Sequence, residues 1–325
     1  MMRVFVYEHI SAGGAVDAVA DELLAAGREM RDAVVNDLLR AGDCDVSIAI
    51  APHTPQPSAA ARALRPPAGV AASDFVAHQA RLHDLVWVIA PETGGVLARL
   101  QRVVDAERWL GCDAAAIALA SSKRATLARA AEHGLTTPLA FAASPTTRRW
   151  IVKPDDGAGA VDTRVHNTQA AAREDLETRR QRGEAAVLEP WIVGEPLSLS
   201  LLCDAQRIEL LSVNRQQLTV DAFGVLSFDA VRIAAWPLGD ARAATLRSWA
   251  QALAGAIAGL RGYVGVDLVW HPQRGPVLIE INPRVTMAYV GLSAALGRNL
   301  AAAVLAAHLQ EHSHPDLHEA LHADA

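Results

Sequence analysis

The chain has 325 residues, 51% of them apolar and 20% charged, with a formal net charge of -6. That length exceeds the usual single domain and can bury a large core, so two or three subdomains are expected. Mild acidity, with no basic block interleaved with aromatics, argues against a nucleic-acid partner. No run approaches the ~18 uncharged apolar residues of a membrane span. Cys44, Cys112 and Cys203 lie far apart and match neither a disulfide framework nor metal-ligand spacing, so they read as core thiols of a reducing, cytoplasmic compartment.

Residues 2–7 read as a buried first strand rather than a signal peptide, because Glu8 and His9 interrupt the apolar run too early. The strand feeds Glu8-His9-Ile10-Ser11-Ala12-Gly13-Gly14 and a helical pattern over 16–26, as at the opening of an α/β unit. Strands are expected at 46–50 and 85–90, with a Pro- and Ala-rich surface connection over 52–67 between them. The second strand ends in Pro91-Glu92-Thr93-Gly94-Gly95 before another helix. Open parallel sheets bind ligands beyond the carboxyl ends of their strands. Glu8, His9, Glu92 and Thr93 are therefore candidate substrate contacts, although each would also serve as a loop residue or helix cap. Residues 1–113 form the expected N-terminal parallel-sheet domain.

Ser121-Ser122-Lys123 can cap a helix running toward Gly134. Trp150-Ile151-Val152-Lys153-Pro154 is a short strand with a lysine near its end. It opens into Asp155-Asp156-Gly157-Ala158-Gly159-Ala160, a loop of small and acidic residues. Another strand at 185–188 enters Glu189-Pro190-Trp191-Ile192-Val193-Gly194-Glu195, completing a small central subdomain over 114–190. Meander-like strands follow near 197–203, 207–214 and 225–229, then an Ala-rich helix over 241–260, within a C-terminal subdomain of 191–310.

In that subdomain, Gly265-Val266-Asp267-Leu268-Val269-Trp270 and Val277-Leu278-Ile279-Glu280-Ile281-Asn282 are separated by a short turn. A hairpin would set Asp267 beside Glu280. Residues i and i+2 of a strand share a face, so Glu280 and Asn282 can offer oxygen ligands to one cluster of Mg²⁺ ions while Ile279 and Ile281 pack on the other side. Pro283 then ends the strand. A solvated strand end with an ordinary turn would use the same residues. The polar tail 311–325 follows a helical start at 301; of the histidines His308, His312, His314, His318 and His322, a solvated end is a simpler account than a metal site.

The ordered set Lys123, Lys153 with its small-residue loop, Glu189 to Glu195, Asp267 and Glu280-Ile281-Asn282-Pro283-Arg284 resembles the ATP-grasp carboxylate–amine ligases over about residues 115–300. That resemblance implies a three-part α/β architecture with α+β subdomains, binding ATP between the central and C-terminal parts. Lys123 and Lys153 would contact the phosphates, and the loop bearing Asp156, Gly157 and Gly159 would close over them. Glu189 and Ile192 match the adenine hinge, Glu195 a ribose contact, and Asp267, Glu280 and Asn282 the Mg²⁺ ligands. Trp191 is equally suited to a core.

The implied reaction converts a carboxylate to an acyl phosphate, which a primary amine then captures as an amide. Related peptide ligases often carry an arginine just before the metal-binding aspartate, where this chain has Val266. Arg284 and Arg215 are the candidate replacements. The segments 7–14 and 282–292 further resemble the tyramine–glutamate ligase branch associated with methanofuran biosynthesis. On that resemblance the γ-carboxylate of L-glutamate joins tyramine or a related amine. A ligase for another amino acid and amine, or a regulatory nucleotide-binding protein, would carry the same motifs. A homodimer is expected.

Overall fold

The structure is a computed structural model that describes residues 1–14, 21–52, 54–56, 58, 60–157 and 159–312. The apolar run of β1 (Met2–Glu8) is buried on both faces, with Val4, Phe5, Val6 and Tyr7 at most 1% exposed, as expected of a central parallel strand. Parallel pairing with β2 (Cys44–Ala49), β3 (Arg62–Leu64) and β4 (Leu85–Ile89) gives the order β3-β2-β1-β4. Helix α1 (Asp21–Ala41) covers one face through Val34, Val35 and Leu38. Phe75 of α2 (Ala72–Ala80) and Leu97 and Leu100 of α3 (Val96–Gln101) cover the other. The helix expected at 16–26 is thus α1, described from Asp21 and extending to Ala41, because the apolar spacing continues through Val34 and Leu38 until Gly42 turns out at a φ of 88°. Residues 16–20 of that expectation lie outside the described residues.

Asp113 caps α4 (Ala114–Ala120), accepting from the Ala116 N–H, and Ser122 caps α5 (Lys123–Glu132), accepting from the Ala125 N–H at 3.1 Å. The central sheet is antiparallel, in the order β6-β5-β7, built from β5 (Trp150–Pro154), β6 (Arg164–His166) and β7 (Ala186–Pro190). Helix α6 (Gln169–Gln181) closes it over a small core of Trp150, Val152, Ala172 and Ala186.

The third sheet holds β8 (Glu195–Cys203), β9 (Ile208–Val220), β10 (Leu226–Trp236), β11 (Gly262–His271) and β12 (Gly275–Asn282) in the antiparallel order β10-β9-β8-β11-β12. Alternation, interrupted by bulges, gives it two unlike faces. Leu197, Leu199, Val213, Val266, Leu268 and Ile281 form a core with Leu246, Ala250 and Leu253 of α7 (Ala241–Ala256). The opposite face carries Ser198, Ser200, Asn214, Asp267, Glu280 and Asn282. Ile257, in extended conformation, ends α7 three residues before the expected stop at 260. The chain finishes through α8 (Leu292–Leu296) and α9 (Leu300–His312), which packs on α1. There, buried Asp37 of α1 accepts from the Tyr289 hydroxyl at 2.8 Å and the Ser293 hydroxyl at 2.5 Å, tying the first domain to the last. The three cysteines are free and buried. His314, His318 and His322 lie outside the described residues. Among the described residues no helix is long and apolar enough to cross a membrane.

Candidate active site

The hairpin of β11 and β12 sets Asp267 opposite Glu280 and Gly265 opposite Asn282. A bulge between Asp267 and Leu268 pairs Leu268 with Leu278 and leaves Ile279 as the extra residue. Ile281 enters the core as expected, whereas Ile279 stays half-buried in the bulge. The Asn282 amide donates to Asp267 Oδ2 at 3.2 Å. Burial first, and then the neighbouring Glu280 carboxylate, push the Asp267 carboxyl well above its ordinary range. Burial acts the same way on Glu280, but Lys123 and Lys153 outweigh it and hold this carboxylate below its usual value. Two carboxylates are thus forced together with an amide oxygen available beside them, a donor set that suits a hard divalent cation. Asn282 contributes an amide to this corner, and among the described residues no group of three or more His, Cys, Asp or Glu side chains could hold a metal ion.

Two buried lysines approach from the central part. Lys123, at the start of α5, lies 3.0 Å from Glu280 and also donates to the Gly157 carbonyl. Burial opposes its charge, but Glu280 overcomes this and raises the ammonium above its ordinary value. Lys153 of β5 lies 3.0 Å from Glu189 of β7, with both residues at most 5% exposed. One oxygen of Glu189, Oε1, is buried without a hydrogen-bond partner.

The loop after β5 is held at two points. Asp155 accepts from the Ser122 hydroxyl at 2.8 Å and the Arg124 N–H at 2.9 Å, placing a carboxylate at the amino end of α5. Asp156 accepts from the Gly94 N–H at 2.8 Å, and its carbonyl from the Thr93 hydroxyl at 3.2 Å. Gly159 and Ala160 both adopt positive φ, 66° and 61°, which glycine tolerates and alanine resists by ~1–2 kcal/mol. Ala158 lies outside the described residues.

From the N-terminal sheet, Glu92 lines the same cleft as Lys123, Asp156, Gly157, Glu280 and Asn282. Its carboxylate takes a bidentate pair from Arg284, both bonds 3.0 Å, with the side chains 6% and 11% exposed. Burial lowers the Arg284 pKa, but Glu92 more than compensates and raises it overall. His9 is buried beside Tyr7, 3.4 Å from its hydroxyl; burial and then Arg99 lower its pKa. Glu8 turns into its own loop, accepting from the Ile10 and Ser11 N–H groups at 3.1 and 2.7 Å. A Cβ on Gly27 would stand 2.7 Å from Glu8 Oε2, so α1 presses against this carboxylate through its glycine.

Alternation separates the remaining candidates. Arg215 pairs in register with Leu197, so it lies on the α7 face, opposite Asp267. There its Nε donates to Glu195 Oε1 at 2.6 Å, and the Trp236 indole donates to the same oxygen at 3.3 Å. The structure therefore does not bring Arg215 to the metal corner. Val266, where related ligases often carry an arginine, is fully buried in the α7 core. The neighbouring position on Asp267's face is Gly265, where a Cβ would meet Thr286 Cγ2 at 2.6 Å. Ile192 is buried, and Trp191 lies under the Arg149 guanidinium at 5.2 Å. One residue of the corner is missing from the sequence-based set. Gln216 of β9 donates to Asp267 Oδ1 at 3.0 Å, a bond across strands that only the sheet register reveals.

An α/β domain is followed by two antiparallel α+β parts, with one buried lysine at the start of α5, another on β5, and an oxygen-rich corner on the last sheet. The ATP-grasp domain model matches residues 120–288, and the pre ATP-grasp 3 domain model matches residues 44–117. The chain belongs to the ATP-grasp family. The comparison with curated proteins gives no match. Among solved structures it resembles an ATP-grasp superfamily protein from Archaeoglobus fulgidus at 20% identity and TM-score 0.69, covering 94% of this chain and 88% of that one. It resembles an L-amino acid ligase from Bacillus licheniformis at 17% identity and TM-score 0.67, covering 95% and 74%. D-alanine–D-alanine ligase from Bacillus anthracis, complexed with ATP, aligns at 16% identity and TM-score 0.63, covering 95% and 98%.

Proposed function

We propose that this protein is an ATP-dependent ligase that forms an amide through an acyl phosphate, taking an amino acid as the carboxylate donor and a primary amine as acceptor. The observation that carries the reading is the convergence of Lys123 and Lys153 on the Asp267–Glu280–Asn282 corner. Mg²⁺ bound there would draw charge from the phosphate oxygens as the phosphoryl group transfers. Lys123 and Lys153 would hold the phosphates, and the loop of Asp156, Gly157 and Gly159 would limit water over them. The orphaned Glu189 Oε1 leaves a buried acceptor for the adenine amino group, three residues before the buried Ile192.

In the first step a carboxylate oxygen attacks the γ-phosphorus and the bond to ADP breaks. In the second, the amine nitrogen attacks the acyl carbon, phosphate leaves, and the nitrogen loses a proton. No protein nucleophile is needed, because positioning and charge stabilisation supply the rate. Arg284 is suited to the substrate's α-carboxylate and Glu92 to an ammonium group, since each is already paired with the equivalent charge on the other. An α-amino acid zwitterion, carrying both charges on one carbon, matches that pair. Thr93, bonded to the Asp156 carbonyl, and His9, beside Tyr7, would be further substrate contacts.

The narrower reading takes L-glutamate, activated at its γ-carboxylate, and tyramine or a related arylalkylamine, a reaction suited to methanofuran biosynthesis. It rests on the resemblance of segments 7–14 and 282–292. The test is Mg²⁺-dependent ADP release with amino acids crossed against an amine panel, with mass analysis of products. A tyramine-dependent γ-glutamyl amide supports the narrow reading, another productive pair moves only the substrates, and ATP binding without amine-dependent ADP release refutes the ligase reading.

A further inference from the structure

On the polar face of the last sheet, Asp267 of β11 stands opposite Ser198 of β8, and Ser198 opposite Asn214 of β9. The deeper part of this face satisfies itself. Ser212 donates to Asn214 at 2.7 Å, Asn214 to Ser200 at 3.0 Å, and Ser200 shares a 2.9 Å bond with Tyr263. Gln216, two residues beyond Asn214 and on the same face, is outside that network. Its amide crosses β8 to donate to Asp267 Oδ1 at 3.0 Å, while Asn282 takes Oδ2 from the other side at 3.2 Å.

Asp267 is therefore gripped by one amide on each oxygen, from strands on both sides of its own. Neighbouring strands lie about 4.8 Å apart, so a side chain spanning β8 must cover nearly two spacings together with Asp267. Glutamine meets that requirement, and asparagine, one methylene shorter, does not. Gln217, the next residue, is exposed and faces away by alternation.

We infer that Gln216 is a positioning residue of the divalent-cation site, reaching across β8 to fix the orientation of Asp267. The inference rests on the reading of Asp267, Glu280 and Asn282 as cation ligands. Removal of a hydrogen-bond partner that orients a metal ligand typically weakens metal affinity about 10–100-fold. Gln216 is half-buried on the sheet face opposite α7, so its replacement leaves the α7 core intact.

The test uses the full chain and Mn²⁺ alone, with free Mn²⁺ read by electron paramagnetic resonance and unfolding midpoints measured in parallel. Gln216→Met keeps the reach and loses the donor; Gln216→Asn keeps the donor and loses the reach. Both are expected to weaken Mn²⁺ binding at least ~10-fold without a matching loss of stability, whereas Gln217→Met leaves it unchanged. Wild-type affinity in both Gln216 variants overturns the inference and leaves the cation site standing. Wild-type protein that binds no Mn²⁺ overturns the site itself, and the inference with it.

Discussion

Breaking the Glu92–Arg284 pair tests how the N-terminal domain is joined to the last sheet. The two residues are 192 apart in sequence, doubly bonded at 3.0 Å, and 6% and 11% exposed. Removing one partner of a buried pair strands the other charge and typically costs about 3–5 kcal/mol. Glu92→Gln should fall near the low end, about 3 kcal/mol, because Arg284 still faces Glu280 and Asp267. Arg284→Met leaves Glu92 without its bidentate partner, with the Lys123 charge still near it, and should cost about 4 kcal/mol. The double variant should cost less than the sum by at least ~2 kcal/mol, since neither charge is then stranded. Denaturant unfolding of all four proteins gives the cycle. Costs below ~1 kcal/mol, additive within ~0.5 kcal/mol, would refute the buried-pair argument. The same single changes should raise the amino-acid KM more than the ATP KM.

Two further outcomes follow from packing. Gly265→Ala forces a Cβ to within 2.6 Å of Thr286 Cγ2 and should cost about 1–3 kcal/mol by denaturant unfolding; Thr286→Ser, which removes that methyl, should recover most of it, and no recovery would place the strain elsewhere. Burial raises Cys44 to about 11 and Cys112 to about 12, and pushes Cys203 well up, so all three stay protonated as thiols at pH 8. Iodoacetamide should then label none of them in the native protein and all three in denaturant; rapid native labelling of Cys112 would show that the core around it opens.

Much of this architecture is visible in the sequence because local pattern and chemistry agree. The alternation of β11 and β12 delivers Asp267, Glu280 and Asn282 to one face, and Ser122 caps α5 so that Lys123 begins it. What local pattern does not carry is register and distant pairing. The bulge at Ile279, the Gln216 bond across β8, and the Arg284 grip on Glu92 each depend on which strands become neighbours. Arg215 shows the cost of reading charge without face: one step along β9 from Gln216, it points to the opposite side of the sheet. Glu8 is similar, since a carboxylate at a strand end can serve its own loop's N–H groups instead of a ligand.

The acyl phosphate is the central claim, and isotope transfer tests it most directly. With a productive pair and both oxygens of the reacting carboxylate labelled with ¹⁸O, the account predicts one label in the released phosphate and one in the amide. Phosphate that carries no ¹⁸O beside a labelled amide would contradict it.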